Sequence, residues 1–264
     1  MNNLFRLKNK KILILGGLGK LGKQFINTFI DYGAEKIIVV DIVEPPKSTK
    51  KINYYKCDLS DNVKLNHLFD TILSKEKKIH SLVYNVYSKP KDYYKENINY
   101  DLSTWKKVVD VNLTAAYISS QKIIKHFIKK KINGNVVFLS STYGIVSPNL
   151  NIYKNLSKKK NIYGGNFSLT SPAVYASTKS ALLGLTKYLA GEYGKNGIRV
   201  NALSPGGVYD KQEEKFVKNY SEKVPLGRMA KWHEYNGAIL FLVSDASSYM
   251  TGSNLIVDGG WTTW

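Results

Sequence analysis

The run Tyr175-Ala176-Ser177-Thr178-Lys179 sets a phenol and an ammonium one helical turn apart. Residues at i and i+4 share a helix face, so such a lysine is placed to lower the pKa of the phenol and hold it near a reacting carbonyl. An ordinary phenol, with a pKa near ~10, is a poor base at neutral pH, and a neighbouring cation corrects that. In a chain this rich in Tyr and Lys, chance alone gives roughly two to three such pairs, and three occur. Tyr32 and Lys36 straddle Gly33, where a helix should end, and Tyr87 and Lys91 enclose Pro90, which disfavours a helix. Only Tyr175 and Lys179 open a long uninterrupted helical pattern, and they lie downstream of a strand ending in Ser140-Ser141. Carbonyl reduction needs a hydride donor, a proton donor and a group that steadies the developing alkoxide.

A source of hydride is implied near the N-terminus. There the segment Gly16-Gly17-Leu18-Gly19-Lys20-Leu21-Gly22 follows an apolar run and precedes a helical pattern. Gly17, Gly19 and Gly22 satisfy G-x-G-x-x-G, and Gly16, Gly19 and Gly22 satisfy G-x-x-G-x-x-G. Glycines serve the tight turn, the approach of backbone to a pyrophosphate and close helix–strand packing, and the helix start offers free N–H groups to phosphate. Asp41 stands 19 residues beyond Gly22, at the end of the next strand. A carboxylate there accepts hydrogen bonds from an adenosine ribose and repels a 2′-phosphate, so NAD(H) is preferred. Lys20 keeps NADP(H) open, since it is able to pair with that phosphate. Asp58-Leu59, after the third strand, is placed either to meet the adenine edge or, through Asp58, to cap the following helix.

The elements that must position these groups alternate from end to end. Strands are expected at 11–15, 36–40, 53–57, 81–84, 135–139, 199–203 and 254–257, and helices at 20–32, 63–74, 102–130, 173–193 and 232–243. That alternation is the mark of an α/β fold, a doubly wound parallel sheet of about seven strands covered on both faces. No linker or repeat divides residues 1–264, so a single domain is expected. Two connections exceed the ordinary βα length of about 2–6 residues, at 86–100 and 142–171. Both follow strands, on the rim where open α/β sheets bind ligands. They bring Tyr87, Tyr93, Tyr94, Tyr143, Tyr153 and Tyr163 with little aliphatic surface, a mixture suited to a sugar ring. Lys158-Lys159-Lys160 stands either as a solvated turn or as a contact for a substrate phosphate.

In this order the motifs resemble the short-chain dehydrogenases/reductases. The resemblance rests on the glycine turn, Asp58-Leu59, Asn85, Val111-Asn112-Leu113, Ser140-Ser141, Tyr175-x-x-x-Lys179, Asn201-x-x-Ser204-Pro205-Gly206 and Val257-Asp258-Gly259-Gly260. It implies a Rossmann fold in which Tyr175 is the general acid/base and Ser141 hydrogen-bonds the substrate oxygen. Lys179 lowers the Tyr175 pKa and binds the nicotinamide ribose, and Asn112 helps hold a proton-relay water. The implied cofactor contacts are Gly16, Gly19, Lys20, Leu21, Gly22, Asp41, Asp58, Leu59 and Asn85, with Tyr175, Lys179, Pro205, Gly206 and Val208. The chain also departs from the family pattern. Tyr87 replaces a glycine near the nicotinamide, Asp210 replaces a threonine, and Tyr175 stands 34 positions beyond Ser141. Within the family, Asn85-Val86-Tyr87, Ser140-Ser141-Thr142-Tyr143-Gly144 and Ser244-Asp245-Ala246-Ser247 are most similar to the flagellin-modification protein A group, which implies a role in surface-sugar synthesis.

Composition narrows the partners. The net charge of +19 raises a nucleic-acid reading, but arginine occurs only at 6, 199 and 228, and arginine is the usual residue for bidentate phosphate and base contacts. A solvated lysine surface is expected, with no nucleic-acid or membrane partner. His67, His80, His126 and His233 have no metal-ligand spacing, and no apolar run reaches the ~18 residues of a membrane span. Cys57 is the only cysteine, so a cytoplasmic protein without internal disulfides is expected. Ala176, Ser180 and Gly184 form a small-residue stripe on helix 173–193, and family resemblance implies a homodimer or homotetramer. The leading expectation is an NAD-linked oxidoreductase acting on a sugar or nucleotide-sugar. The alternatives are a 3-oxoacyl-(carrier protein) reductase and a non-catalytic dinucleotide-binding protein.

Overall fold

The computed structural model describes residues 4–160 and 166–264. Strand β1 (Lys11–Leu15) shows how the sheet is built. Successive side chains of a strand point to opposite faces: Leu13 and Leu15 enter one core, Ile12 and Ile14 the other. Helix α1 (Lys20–Asp31), β2 (Lys36–Asp41), β3 (Ile52–Lys56), α2 (Asn62–Glu76) and β4 (Ser81–Tyr84) complete the first half. Then come α3 (Leu102–Val109), α4 (Ala115–Lys130), β5 (Asn135–Leu139), the short pair β6 (Lys159–Lys160) and β7 (Asn166–Phe167), and α5 (Ala173–Tyr193). The chain continues through β8 (Arg199–Pro205), α6 (Glu214–Ser221), α7 (Asn236–Val243) and β9 (Asn254–Val257).

Seven strands pair in the order β3-β2-β1-β4-β5-β8-β9, all parallel. Helices α2, α4 and α5 cover one face through Phe69, Phe127 and Leu182. Helices α1 and α7 cover the other through Phe25, Phe29 and Ile239. The order reverses between β1 and β4, so a crevice opens above their carboxyl ends, where doubly wound sheets bind ligands. This is the Rossmann architecture that the alternating pattern predicts.

The differences from the predicted elements are local and have causes. Strand β2 runs one residue further, to Asp41, and β8 two further, while β3 starts and stops one residue earlier than expected. The single helix expected over 102–130 is broken by a π turn, Asp110–Thr114, a wider winding that is frequent at functional sites. Helix 232–243 begins as a 3-10 turn, Trp232–Tyr235. Helix α6 was not foreseen, because eight residues with two buried aromatics, Phe216 and Tyr220, carry too little periodicity to stand out. The 142–171 stretch is not a plain surface loop. It begins with buried Thr142, Tyr143 and Gly144 and later forms the antiparallel β6–β7 pair.

Candidate active site

The glycine turn is held by backbone. Gly16 has φ +76, in the left-handed region that favours glycine, and a Cβ there would run into the Asn85 carbonyl. A Cβ on Gly22 would lie 2.5 Å from Gly16 O and 2.6 Å from Gly17 O, so α1 starts hard against the turn. Asn85, at the end of β4, donates from Nδ2 to Gly16 O at 2.8 Å. Gly19 differs. A Cβ on it would meet nothing nearer than Gly16 O at 3.4 Å, and it caps α1 without any side-chain hydrogen bond. Free N–H groups therefore face open room at a helix N-terminus, a cradle that fits a pyrophosphate.

Asp41 closes β2 beside the glycine turn. Its Oδ2 accepts the Leu18 N–H at 2.9 Å and its Oδ1 the Ile42 N–H at 2.8 Å, so the carboxylate also fixes the glycine turn. Lys20 points elsewhere: it pairs with Asp210 across the crevice and lies 5.4 Å from the Trp232 ring centroid. Asp58 is exposed and accepts from Ser60 N and Oγ at 2.9 and 2.8 Å, while the cap of α2 is Asp61, which accepts from Lys64 N at 3.0 Å. Capping by Asp58 is thereby replaced by Asp61. Leu59 is buried in the core. After β8, the Gly206 N–H donates to Val257 O at 2.9 Å and Val208 bridges to Ala230, which fastens the Pro205–Val208 turn at the crevice rim.

Ser141 and Tyr175 come together although they stand 34 positions apart in the chain. The reason lies under α5: a Cβ on Gly144 would sit 2.8 Å from the Lys179 carbonyl carbon, Ser140 Oγ donates to Lys179 O at 2.8 Å, and Ser180 Oγ to Gly144 O at 2.8 Å. Burial raises the Tyr175 phenol, and a hydrogen bond from Ser141 and the charge of Lys89 pull it back. Lys179 Nζ lies 5.8 Å from the Tyr175 ring centroid and donates to Leu139 O at 2.6 Å. Burial drives its pKa down to about 7, so near neutral pH it is charged only part of the time. Lys89 is thus a cation acting on the phenol that the sequence did not single out. Asn112, in the π turn, is buried; it donates to Thr178 Oγ1 at 3.1 Å and accepts the Ser88 N–H at 2.8 Å. Its amide ties the 86–100 segment to α5.

The rings expected to line the cleft divide in two. Tyr93 and Tyr143 are buried in the walls, whereas Tyr87, Tyr94 and Tyr153 keep open surface; Tyr163 lies outside the described residues. Tyr87 meets Tyr175 edge-on at 6.2 Å between centroids. Tyr94 stacks on Phe167 of β7, with centroids 4.4 Å apart and planes 8° from parallel. The Tyr143 and Tyr153 hydroxyls are 3.3 Å apart. Lys158 and Lys160 are exposed and Lys159 half-buried. The Tyr94–Phe167 contact, which joins the two long connections, left no signal in the sequence. Among the described residues no group of three or more His, Cys, Asp or Glu is arranged to hold a metal, and no helix is long and apolar enough to cross a membrane.

A parallel sheet with a glycine-lined crevice, a buried Tyr–Lys pair and a serine beside the phenol defines a nicotinamide-dependent oxidoreductase. The short chain dehydrogenase family profile matches residues 10–158, and the enoyl-(acyl carrier protein) reductase profile matches residues 159–262. The chain belongs to the short-chain dehydrogenase/reductase family and is an NAD(P)-dependent enzyme of it. It is 27% identical to the post-translational flagellin modification protein A of Campylobacter coli over 97% of this chain and 99% of that one. It is 30% identical to the 3-oxoacyl-[acyl-carrier-protein] reductase FabG of Thermotoga maritima, over 97% and 98%. The crystal structure of a short chain dehydrogenase from Leptospira borgpetersenii with bound NAD+ superimposes with a TM-score of 0.86 at 28% identity, covering 99% of this chain and 96% of that one.

Proposed function

We propose that the enzyme moves a hydride between NAD(H) and a hydroxyl or carbonyl of a sugar or nucleotide-sugar used in surface-glycan synthesis. The observation that carries this reading is the roof of the cleft. Tyr87, Tyr94 and Tyr153 offer ring faces and hydroxyls beside Tyr175, which suits stacking and hydrogen bonding to a polyol. Tyr175 gives or takes the proton, Ser141 steadies the substrate oxygen, and Lys179 and Asn112 hold the phenol side of the site in place. The dinucleotide, when bound, supplies or accepts the hydride. Gly16, Gly19, Leu21 and Gly22, with the backbone of Lys20, would hold its phosphates, Asp41 its adenosine ribose, Asp58 and Leu59 its adenine, and Asn85, Pro205, Gly206 and Val208 the nicotinamide side.

The preference for NAD(H) is supported by Asp41, which is anchored by two backbone N–H groups, and by Lys20, which is engaged with Asp210. Residues 1–264 act as one domain, with 142–171 as its substrate-side insertion. A cytoplasmic homodimer or homotetramer is supported by the lone buried Cys57 and by Gly184 of α5, beside which a Cβ would meet nothing within 4 Å. The experiment is to follow NADH and NADPH oxidation against nucleotide-sugars, free keto-sugars and acyl thioesters, for the natural protein and for Asp41→Ala. Turnover with a sugar and NADH is expected, with the NADH preference narrowed about tenfold in Asp41→Ala. Turnover confined to acyl thioesters would give the site to the carrier-protein reductase instead.

A further inference from the structure

The substrate side of the cleft holds a charge that the proposed reaction does not use. Lys89 lies on the 86–100 segment, with Nζ 5.0 Å from the Tyr87 ring centroid and 5.5 Å from that of Tyr94. Tyr87 in turn rests edge-on against Tyr175, so two ring contacts lead from the ammonium to the reacting phenol. The same ammonium acts on the phenols of both Tyr175, on α5, and Tyr153, on the insertion. Its side chain is exposed, yet the protein around it imposes a desolvation cost. Those two facts together describe a group lining an open cleft.

An ammonium is a compact point charge with three donors, able to bind a carboxylate or a phosphate. Aromatic neighbours restrain it through cation–π attraction and exclude water, which strengthens its pull on an anion. We propose that Lys89 selects the substrate by binding an anionic oxygen group, carboxylate or phosphate, carried near the carbon that reacts, with Tyr87 and Tyr94 holding the ammonium in place. The inference rests on the reading of the cleft as a sugar site and adds the charge of the sugar.

The test uses the NADH-loaded protein at about 150 mM salt, titrated with D-gluconate, D-glucose 6-phosphate and D-glucitol, with binding followed by calorimetry. One of the two anions is expected to bind about tenfold more tightly than D-glucitol, the ordinary worth of one charge-assisted contact. Which anion it is tells a carboxylate from a phosphate. Lys89→Met should abolish that advantage and Lys89→Arg should keep most of it. Lys195→Met, an exposed residue in the turn after α5, should leave it unchanged and so remove the overall positive charge as an explanation. NADH affinity, measured first for each variant, reports on folding. An anion advantage that is absent in the natural protein, or that survives Lys89→Met, overturns the proposal. The sugar reading is judged separately, by turnover: a natural protein that turns over neutral sugars but shows no anion advantage leaves that reading standing while this one falls.

Discussion

The two sides of the crevice are built from different materials. On the cofactor side, every contact closes on backbone: Gly22 packs on Gly16 and Gly17, the Asn85 amide holds Gly16 O, and the Asp41 carboxylate holds the Leu18 N–H. On the substrate side, rings meet rings. Tyr94 stacks on Phe167, Tyr220 on Trp261 at 4.4 Å, and Tyr143 stands edge-on to Trp261 at 6.2 Å. Backbone packing this close tolerates only glycine at fixed positions, so it leaves a readable trace. Ring packing can be satisfied by many arrangements of the same residues, so it leaves none. A cradle held by close backbone packing therefore faces a roof built of rings.

Tyr175 joins the two sides, since its ring packs in both substrate-side clusters while Lys179 lies one turn on. Tyr175→Phe should lower turnover by about 10²–10⁴-fold, the usual contribution of a general acid/base, and leave NADH affinity within about twofold. Steady-state rates and NADH fluorescence titration measure the two quantities separately. Retained turnover would move the proton transfer to another group; lost NADH affinity would show that the two sides are not independent.

The glycine turn sharpens the contrast within one loop. Gly22→Ala forces a methyl against two backbone carbonyls and should cost about 1–3 kcal/mol, seen as a lower Tm. Gly19→Ala has room, so Tm should stay within about 1 °C while NADH affinity falls roughly tenfold, because the methyl enters the space the pyrophosphate needs. Equal losses of stability in the two variants would show that Gly19 is a packing residue like its neighbours.

That contrast also explains what the sequence disclosed. Strands β1, β4, β5 and β9 fall where their apolar runs predict, and α5 spans its predicted residues, because buried parallel strands and a long helix impose their periods on the chain. The approach of Ser141 to Tyr175 follows from Gly144 and Ser140 packing under α5, and their residue types were visible although the 34-residue detour was not explained by them. The π turn at Asn112, the Lys20–Asp210 pair and the Lys89 cage were not legible. Each depends on side chains brought together from segments with no common period. The depressed pKa of Lys179 is of the same kind, since burial of an ammonium is a property of the packed state.

Lys179 gives a pH signature for the buried side. In the unfolded chain it keeps its proton to its ordinary value of 10.5, and in the folded protein it releases it near 7. Between those values the unfolded state binds more protons, so this group makes stability rise with pH, by at most about 1.4 kcal/mol per unit. For a protein of this size that is about 2–4 °C of Tm per pH unit. Comparing the cofactor-free natural protein with Lys179→Met between pH 7 and 9 isolates the term. The natural protein should gain the more with rising pH; parallel curves would mean that the lysine is as solvated folded as unfolded.

The smallest effect concerns how the roof is closed. Tyr94 and Phe167 come from two connections that follow different strands, and their parallel rings are the contact that joins them. A ring pair of this kind is worth about 0.5–1.5 kcal/mol beyond its buried area, a modest term that a double-mutant cycle resolves. Tyr94→Ala and Phe167→Ala should each raise KM for the substrate by about three- to tenfold, with kcat and NADH affinity little changed. The double variant should be no worse than the worse single, because once one ring is gone the other has nothing to stack on. Independent, multiplying effects would mean that each ring touches substrate by itself. In that case the β6–β7 pair would be a second binding surface and not a strut holding the first.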